Sequence, residues 1–164
     1  MKDKKALVVG MGRSGKAAVA DLVNMGAVVS VQDSKTEDTL DREFLQFLQE
    51  KGIDSYLGRV PEDMSTFDTI VLSPGVPPAL EFIQKGKAAG AEIIGELELA
   101  YRLCKGRFVA ITGTNGKTTT TTLVGEIYKA AGVDTCVGGN IGRAIAVDAM
   151  EATEDTCMVT ETSS

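Results

Sequence analysis

Two stretches of this chain set glycine and lysine where a phosphate could be held. The first runs Gly10-Met11-Gly12-Arg13-Ser14-Gly15-Lys16-Ala17, inside "ALVVGMGRSGKAAVADLVNMG". Read as Gly-x-Gly-x-x-Gly, it is a dinucleotide fingerprint. Read as Gly-x-x-x-x-Gly-Lys, it is nearly a phosphate loop, but Ala17 stands where Ser or Thr would hold magnesium. Gly10 would permit the tight turn, Gly12 would let backbone approach a phosphate, and Gly15 would let a helix pack closely on its strand. The N-terminus of that helix then offers N–H groups to an anion. Asp33 follows Gly15 by 18 residues, where an acid holds a ribose hydroxyl in dinucleotide sites. The bland alternative is a glycine-rich turn with no ligand. A bound nucleotide diphosphate is the better reading, although the motif does not say which one.

The second stretch is Thr112-Gly113-Thr114-Asn115-Gly116-Lys117-Thr118-Thr119. Gly113 and Gly116 frame a nest of backbone N–H groups, Lys117 can reach phosphate oxygens, and Thr118 can ligate Mg²⁺. A strict phosphate loop would have glycine at position 111, and this chain has Ile111. The loop is therefore a short variant, Gly-x-x-Gly-Lys-Thr. Thr119 to Thr122 read as packing and capping residues. Two phosphate loops call for two phosphorylated ligands.

Three further loops follow apolar strands. Ser73-Pro74-Gly75-Val76-Pro77-Pro78 is stiffened by its prolines. In Gly138-Gly139-Asn140-Ile141-Gly142, Asn140 could bond a ligand or only its own turn. In Val159-Thr160-Glu161-Thr162, Glu161 suits a magnesium or water-positioning role beside a phosphate loop. The chain has no histidine, which removes the usual general base and the usual metal ligand. Chemistry here must run on carboxylates, lysine and a bound metal.

These loops need a scaffold that presents them on one edge. Short β-branched runs at 5–10, 27–33, 53–58, 68–73, 91–95, 107–113, 133–138 and 156–161 read as strands. Between them, 14–26, 40–52, a segment ending near Gly90, 96–104 and 117–131 read as helices. Alternating apolar strands and helices mean an α/β fold with parallel sheets covered on both faces. The boundary is placed near Gly95. Residues 1–95 form a Rossmann-like domain, and 96–164 form the start of a phosphate-loop ATPase-type α/β domain, read as cut short after its third strand. The 164 residues are 43% apolar and 24% charged, with a net charge of −6 and no basic footprint for nucleic acid. Cys104, Cys136 and Cys157 lack metal-ligand spacing and read as reduced thiols. No apolar run suits a membrane helix or a signal peptide, so a cytoplasmic protein is expected.

"AITGTNGKTTTT", "GGNIG" and "TETSS" together resemble the Mur ligases, ATP-dependent amide ligases of peptidoglycan synthesis. "VVGMGRSG", "SPGVPP" and "GELELAYRL" resemble the D-glutamate-adding branch, and the likeness covers essentially the whole chain. It implies three substrates: UDP-N-acetylmuramoyl-L-alanine, ATP and D-glutamate, with Mg²⁺ as cofactor. It implies that the first loop holds UDP, with Gly12, Arg13 and Ser14 near the diphosphate and Asp33 and Ser34 facing the uridine. Ser73, Pro74 and Gly75 would wall that pocket, and Asn140 would touch the sugar substrate. Gly113, Thr114, Asn115, Gly116, Lys117, Thr118 and Thr119 would hold ATP. Lys117 and Glu161 would be catalytic, and Thr118 and Glu161 would hold the metal. The family's further metal ligands and closing domain would lie past Ser164, so this chain is expected to bind without ligating. A monomer is expected of the full-length enzyme, with no nucleic-acid or membrane partner. The rival readings are an NAD(H)-binding oxidoreductase or regulatory domain, a phosphate-loop kinase or GTPase, and a non-enzymatic nucleotide-binding fragment.

Overall fold

The computed structural model describes residues 1–139 and 145–162, the side chains of 146 and 147 excepted. The chain divides into two compact units, Met1–Glu96 and Leu97–Ser164.

In the first unit, β1 (Lys5–Val9) leads into α1 (Arg13–Asn24), β2 (Val28–Asp33), α2 (Arg42–Glu50), β3 (Asp54–Leu57), β4 (Thr69–Leu72), α3 (Glu81–Ala88) and β5 (Glu92–Gly95). The strands form one parallel sheet in the order β3-β2-β1-β4-β5. Ala6 to Val9 are all buried, as a central strand covered on both faces requires. Leu7 and Val9 pack with Met64, Phe67, Ile70, Leu72, Ile83 and Ala91. Chain order reverses at β1, which pairs with β2 on one side and β4 on the other. Val9 lies opposite both Gln32 and Leu72, so the β1–α1 loop emerges where ligands enter such sheets.

Helix boundaries follow local capping. The apolar residues of 40–52 predict one helix, but α2 begins at Arg42 because the Asp41 side chain accepts from Phe44 N–H at 2.8 Å. Leu40 is thereby left extended, outside the helix. The first helix is followed by Gly26 in a left-handed conformation (φ 76°), which ends it as a glycine there should.

The second unit contains α4 (which begins at Glu96 and runs to Leu103), β6 (Arg107–Ile111), α5 (Lys117–Ala130), β7 (Thr135–Gly139), α6 (Ile145–Glu151) and β8 (Cys157–Glu161). The strands are parallel, in the order β6-β8-β7, and the central β8 is buried throughout. Sequence reading did not anticipate α6. It is short and follows a glycine-rich stretch, and its one signal is the i, i+4 pair Ile145 and Ala149, both buried in a core with Ala100, Ala152 and Met158. The three cysteines are free, and Cys104 and Cys136 pack against that same core. Among the described residues no helix is long and apolar enough to cross a membrane.

Candidate functional site

A cavity of about 480 Å³ opens at the carboxyl ends of β1, β2 and β4 in the first unit. Gly12, Arg13 and Ser14 reach it from the β1–α1 loop, Asp33 and Ser34 from the end of β2, and Ser73, Pro74 and Gly75 from the loop after β4. Eight of the nine residues expected around UDP thus share one cavity. The ninth, Asn140, lies outside the described residues. Met11, Gln32, Val76, Pro77 and Leu80 also line it, and sequence reading missed them because an apolar or amide residue beside a loop carries no motif of its own.

Close contacts fix the path of the loop. A Cβ at Gly15 would fall 1.8 Å from the Gly10 carbonyl oxygen and 2.7 Å from Ser73 Oγ, so only glycine fits that approach. Ser73 Oγ donates to the same carbonyl at 2.7 Å, joining the first loop to the loop after β4. A Cβ at Gly12 would meet nothing within 4 Å, which leaves its backbone open toward a ligand. Asp33 does more than the motif suggests. One carboxylate oxygen accepts from Met11 N–H at 2.5 Å and the other from Lys35 N–H at 2.8 Å. Asp33 is therefore a strut between β2 and the loop, nearly buried, with lone pairs left for a ligand.

Lys16 bears on the double reading of this loop. Its ammonium pairs with Asp41 and lies 5.1 Å from the Phe44 ring centroid. It points to α2 and away from the phosphate-loop role, and Ala17 offers no hydroxyl. The cation that lines the cavity is Arg13.

In the second unit, Gly116 caps α5 in a left-handed conformation (φ 75°) and turns the chain into the helix. Lys117 Nζ donates to the Gly113 carbonyl at 2.6 Å, folding back across the loop. Thr118 Oγ1 donates to Glu161 Oε2 at 2.8 Å. The contact spans 43 residues, and it exists because β8 inserts beside β6 with Glu161 opposite Ile111. Thr114, Asn115 and Thr119 are exposed, and Gly113 is half-buried. Thr121 and Thr122 donate to the carbonyls of Lys117 and Thr118 at 2.8 and 2.9 Å, but of the run Thr119 to Thr122 only Thr121 is buried, so the packing role expected of the run holds for it alone.

The Thr118–Glu161 pair has the hard oxygen donors that Mg²⁺ takes. Among the described residues no group of three or more acidic or cysteine side chains could hold a metal.

Residues 4–95 match the family model described as Mur ligase MurD-like, N-terminal domain. The chain belongs to this family. Over its whole length it is 49% identical to the UDP-N-acetylmuramoylalanine--D-glutamate ligase of Alkaliphilus metalliredigens, covering 36% of that protein. It is 45% identical to the ligase of the same name from Clostridioides difficile, covering 37%. The chain thus spans little more than a third of these curated relatives. Its fold is similar to that of a pseudomurein peptide ligase type C from Methanothermus fervidus, with TM-score 0.55 and 28% identity over 98% of this chain and 33% of that one. A UDP-N-acetylmuramate:L-alanyl-gamma-D-glutamyl-meso-diaminopimelate ligase from Neisseria meningitides shares the fold, with TM-score 0.52 and 19% identity, over 97% of this chain and 52% of that one. Of the motifs read from the sequence, GMGRSG, SPGVPP and TGTNGK lie at the loops that follow β1, β4 and β6.

Proposed function

We propose that this chain carries the nucleotide-binding machinery of an ATP-dependent ligase that joins D-glutamate to UDP-N-acetylmuramoyl-L-alanine in cytoplasmic peptidoglycan synthesis. The single observation that supports this reading best is the family match at 4–95, over a cavity built from the residues expected to hold UDP.

In the first unit, backbone N–H groups at the start of α1 and the Arg13 guanidinium offset the diphosphate charge. The Ser73–Gly10 bond and the Asp33–Met11 bond keep the loop in position before the ligand arrives, which lowers the ordering cost of binding. Ser34 and Asp33 face the nucleoside.

In the full ligase, the alanyl carboxylate of the substrate attacks the γ-phosphate of ATP and yields an acyl phosphate and ADP, and the second unit supplies part of that site. The amine of D-glutamate then attacks that carbonyl, and phosphate leaves. Both steps concentrate negative charge. Lys117 leaves the Gly113 carbonyl to meet the phosphate oxygens, and the loop N–H groups of Gly113 to Lys117 cradle them. Thr118 and Glu161 are the residues that would hold Mg²⁺, which when bound offsets phosphate charge. Their mutual hydrogen bond holds both oxygens in place.

Calorimetric titration of the chain with UDP-N-acetylglucosamine and with NADH tests the nucleotide assignment. Binding of the UDP-sugar with little heat from NADH is expected. Tighter NADH binding would return the first unit to the oxidoreductase reading.

A further inference from the structure

Helix α5 presents uncharged residues on two sides. Its inner side, with Thr121 and Gly125, is buried on the sheet, where Gly125 lets the helix lie close against Val137. Its outer side carries Leu123 and Ile127, which are 59% and 58% exposed. They stand one turn apart. Thr119, Thr120 and Ala130, all exposed, continue the same stripe at intervals of three and four residues. No charge interrupts it. Glu126 and Lys129 pair with each other at 2.9 Å along its edge, and Lys117 folds onto Gly113 at the start of the helix. A single exposed aliphatic side chain is ordinary. A helix with aliphatic residues on opposite sides is normally covered on both. Among the described residues, no other exposed large apolar side chains stand one turn apart on a helix.

The size of the stripe decides what can cover it. A helix of 14 residues offers one face of roughly 21 Å by about 10 Å, or about 200 Å². A stable interface between separate molecules takes about 800 Å² from each partner. A segment of the same polypeptide is under no such demand, because it is tethered and gives up little translational or rotational freedom. The curated relatives carry further chain of this kind, since the present one spans little more than a third of them. The sheet beneath α5 can also be extended. Among the described residues, β6 and β7 pair with β8 and with no other strand. The small side chains of Thr119, Thr120 and Ala130 around the two aliphatic ones let a second helix approach to the usual distance of about 8–10 Å between axes.

Resting on the reading that this chain is part of a longer ligase, we propose that the Leu123–Ile127 stripe is the docking face for a helix from the rest of that polypeptide, one that turns an aliphatic, uncharged side toward it. Docking there holds α5 on both sides. Lys117 and Thr118 open the same helix, so this contact ties the position of the second loop to the remainder of the enzyme.

The test compares the 164-residue chain with the ligase that contains it. Leu123→Cys and Ile127→Cys are made in both proteins, with Lys129→Cys as the reference on the charged edge. Maleimide labelling is read by mass spectrometry on the α5 peptide, which keeps Cys104, Cys136 and Cys157 out of the measurement. In the chain alone, the three introduced thiols should react at similar rates. In the ligase, those at 123 and 127 should react at least about tenfold more slowly, while the reference is unchanged. Equal rates in the two proteins, or slowing at all three positions, would overturn the proposal. So would slow labelling in the chain alone that dilution relieves, the result a second copy of the chain would give. Hydroxyl-radical footprinting of Leu123 and Ile127 in the two wild-type proteins makes the same comparison without any variant, so a variant that fails to fold does not decide the matter. Turnover of the wild-type ligase is measured separately. A protein that does not add D-glutamate would remove the functional reading, whereas the labelling result concerns the docking face alone.

Discussion

The two loops that each carry glycines and a lysine make a natural experiment within one chain. In both, a parallel strand ends, the chain turns through glycines, and a helix starts with a lysine in its first turns. At the first loop the lysine leaves. Lys16 pairs with Asp41 and lies over Phe44, and the loop is secured by Asp33 and Ser73. At the second loop the lysine stays. Lys117 folds over the loop onto Gly113, and the next residue, Thr118, is bonded to Glu161. The same residue types thus sit in two settings, one lysine turned away from its loop and the other folded across it. What separates them is the neighbour: Asp41, the cap of α2, draws Lys16 away, and Glu161 at the end of β8 accepts from Thr118. A lysine after glycines is evidence for phosphate chemistry only when nothing nearer claims its charge.

The contrast is sharpest at the two lysines. In the ligase that contains this chain, Lys117→Ala should lower acyl-phosphate formation by roughly 10²- to 10³-fold, the loss expected for one group that stabilises developing charge. UDP-sugar affinity should change little, and rapid-quench measurement of the acyl phosphate reads the effect. Near-wild-type rates would put the two loops in the same class after all.

Gly15→Ala should be the most destabilising single change in the first loop. The added methyl would collide with the Gly10 carbonyl, so backbone must move, at a cost of about 3 kcal/mol or more. Denaturant unfolding of the chain checks this, and a loss below 1 kcal/mol, on the order of an ordinary surface change, would mean the loop is softer than its contacts indicate. Asp33→Ala leaves the Met11 and Lys35 N–H groups without their partner, and it should lower stability or UDP-sugar affinity by about 1–3 kcal/mol. A melt and a titration of the same variant separate the strut from the ligand contact.

Lys16→Ala should do least. The Lys16–Asp41 pair is partly exposed, so its removal should cost about 0.5–1 kcal/mol, and UDP-sugar affinity should stay within roughly twofold of wild type. A large loss of affinity would return Lys16 to the diphosphate and erase the contrast with Lys117.

The eight strands of the described residues were legible because most are short apolar runs between turn residues, although the half-buried β3, Asp54-Ser-Tyr-Leu57, is not. The second loop was legible down to Thr118, since backbone N–H groups, a lysine and a hydroxyl must follow one another within a single turn. The resemblance brought Thr118 and Glu161 together as a shared metal site, but their direct hydrogen bond was not legible, because the positions lie 43 residues apart and meet through the insertion of β8 beside β6. The same holds for the first loop. Sequence by itself determined that glycines at 10, 12 and 15 open a helix that can meet a phosphate, and that Asp33 ends the next strand. Only the tertiary structure decided where Lys16 points and what Asp33 holds. Local backbone preference is written in neighbouring residues, whereas the partner of a charge is chosen among groups that packing brings together from distant parts of the chain.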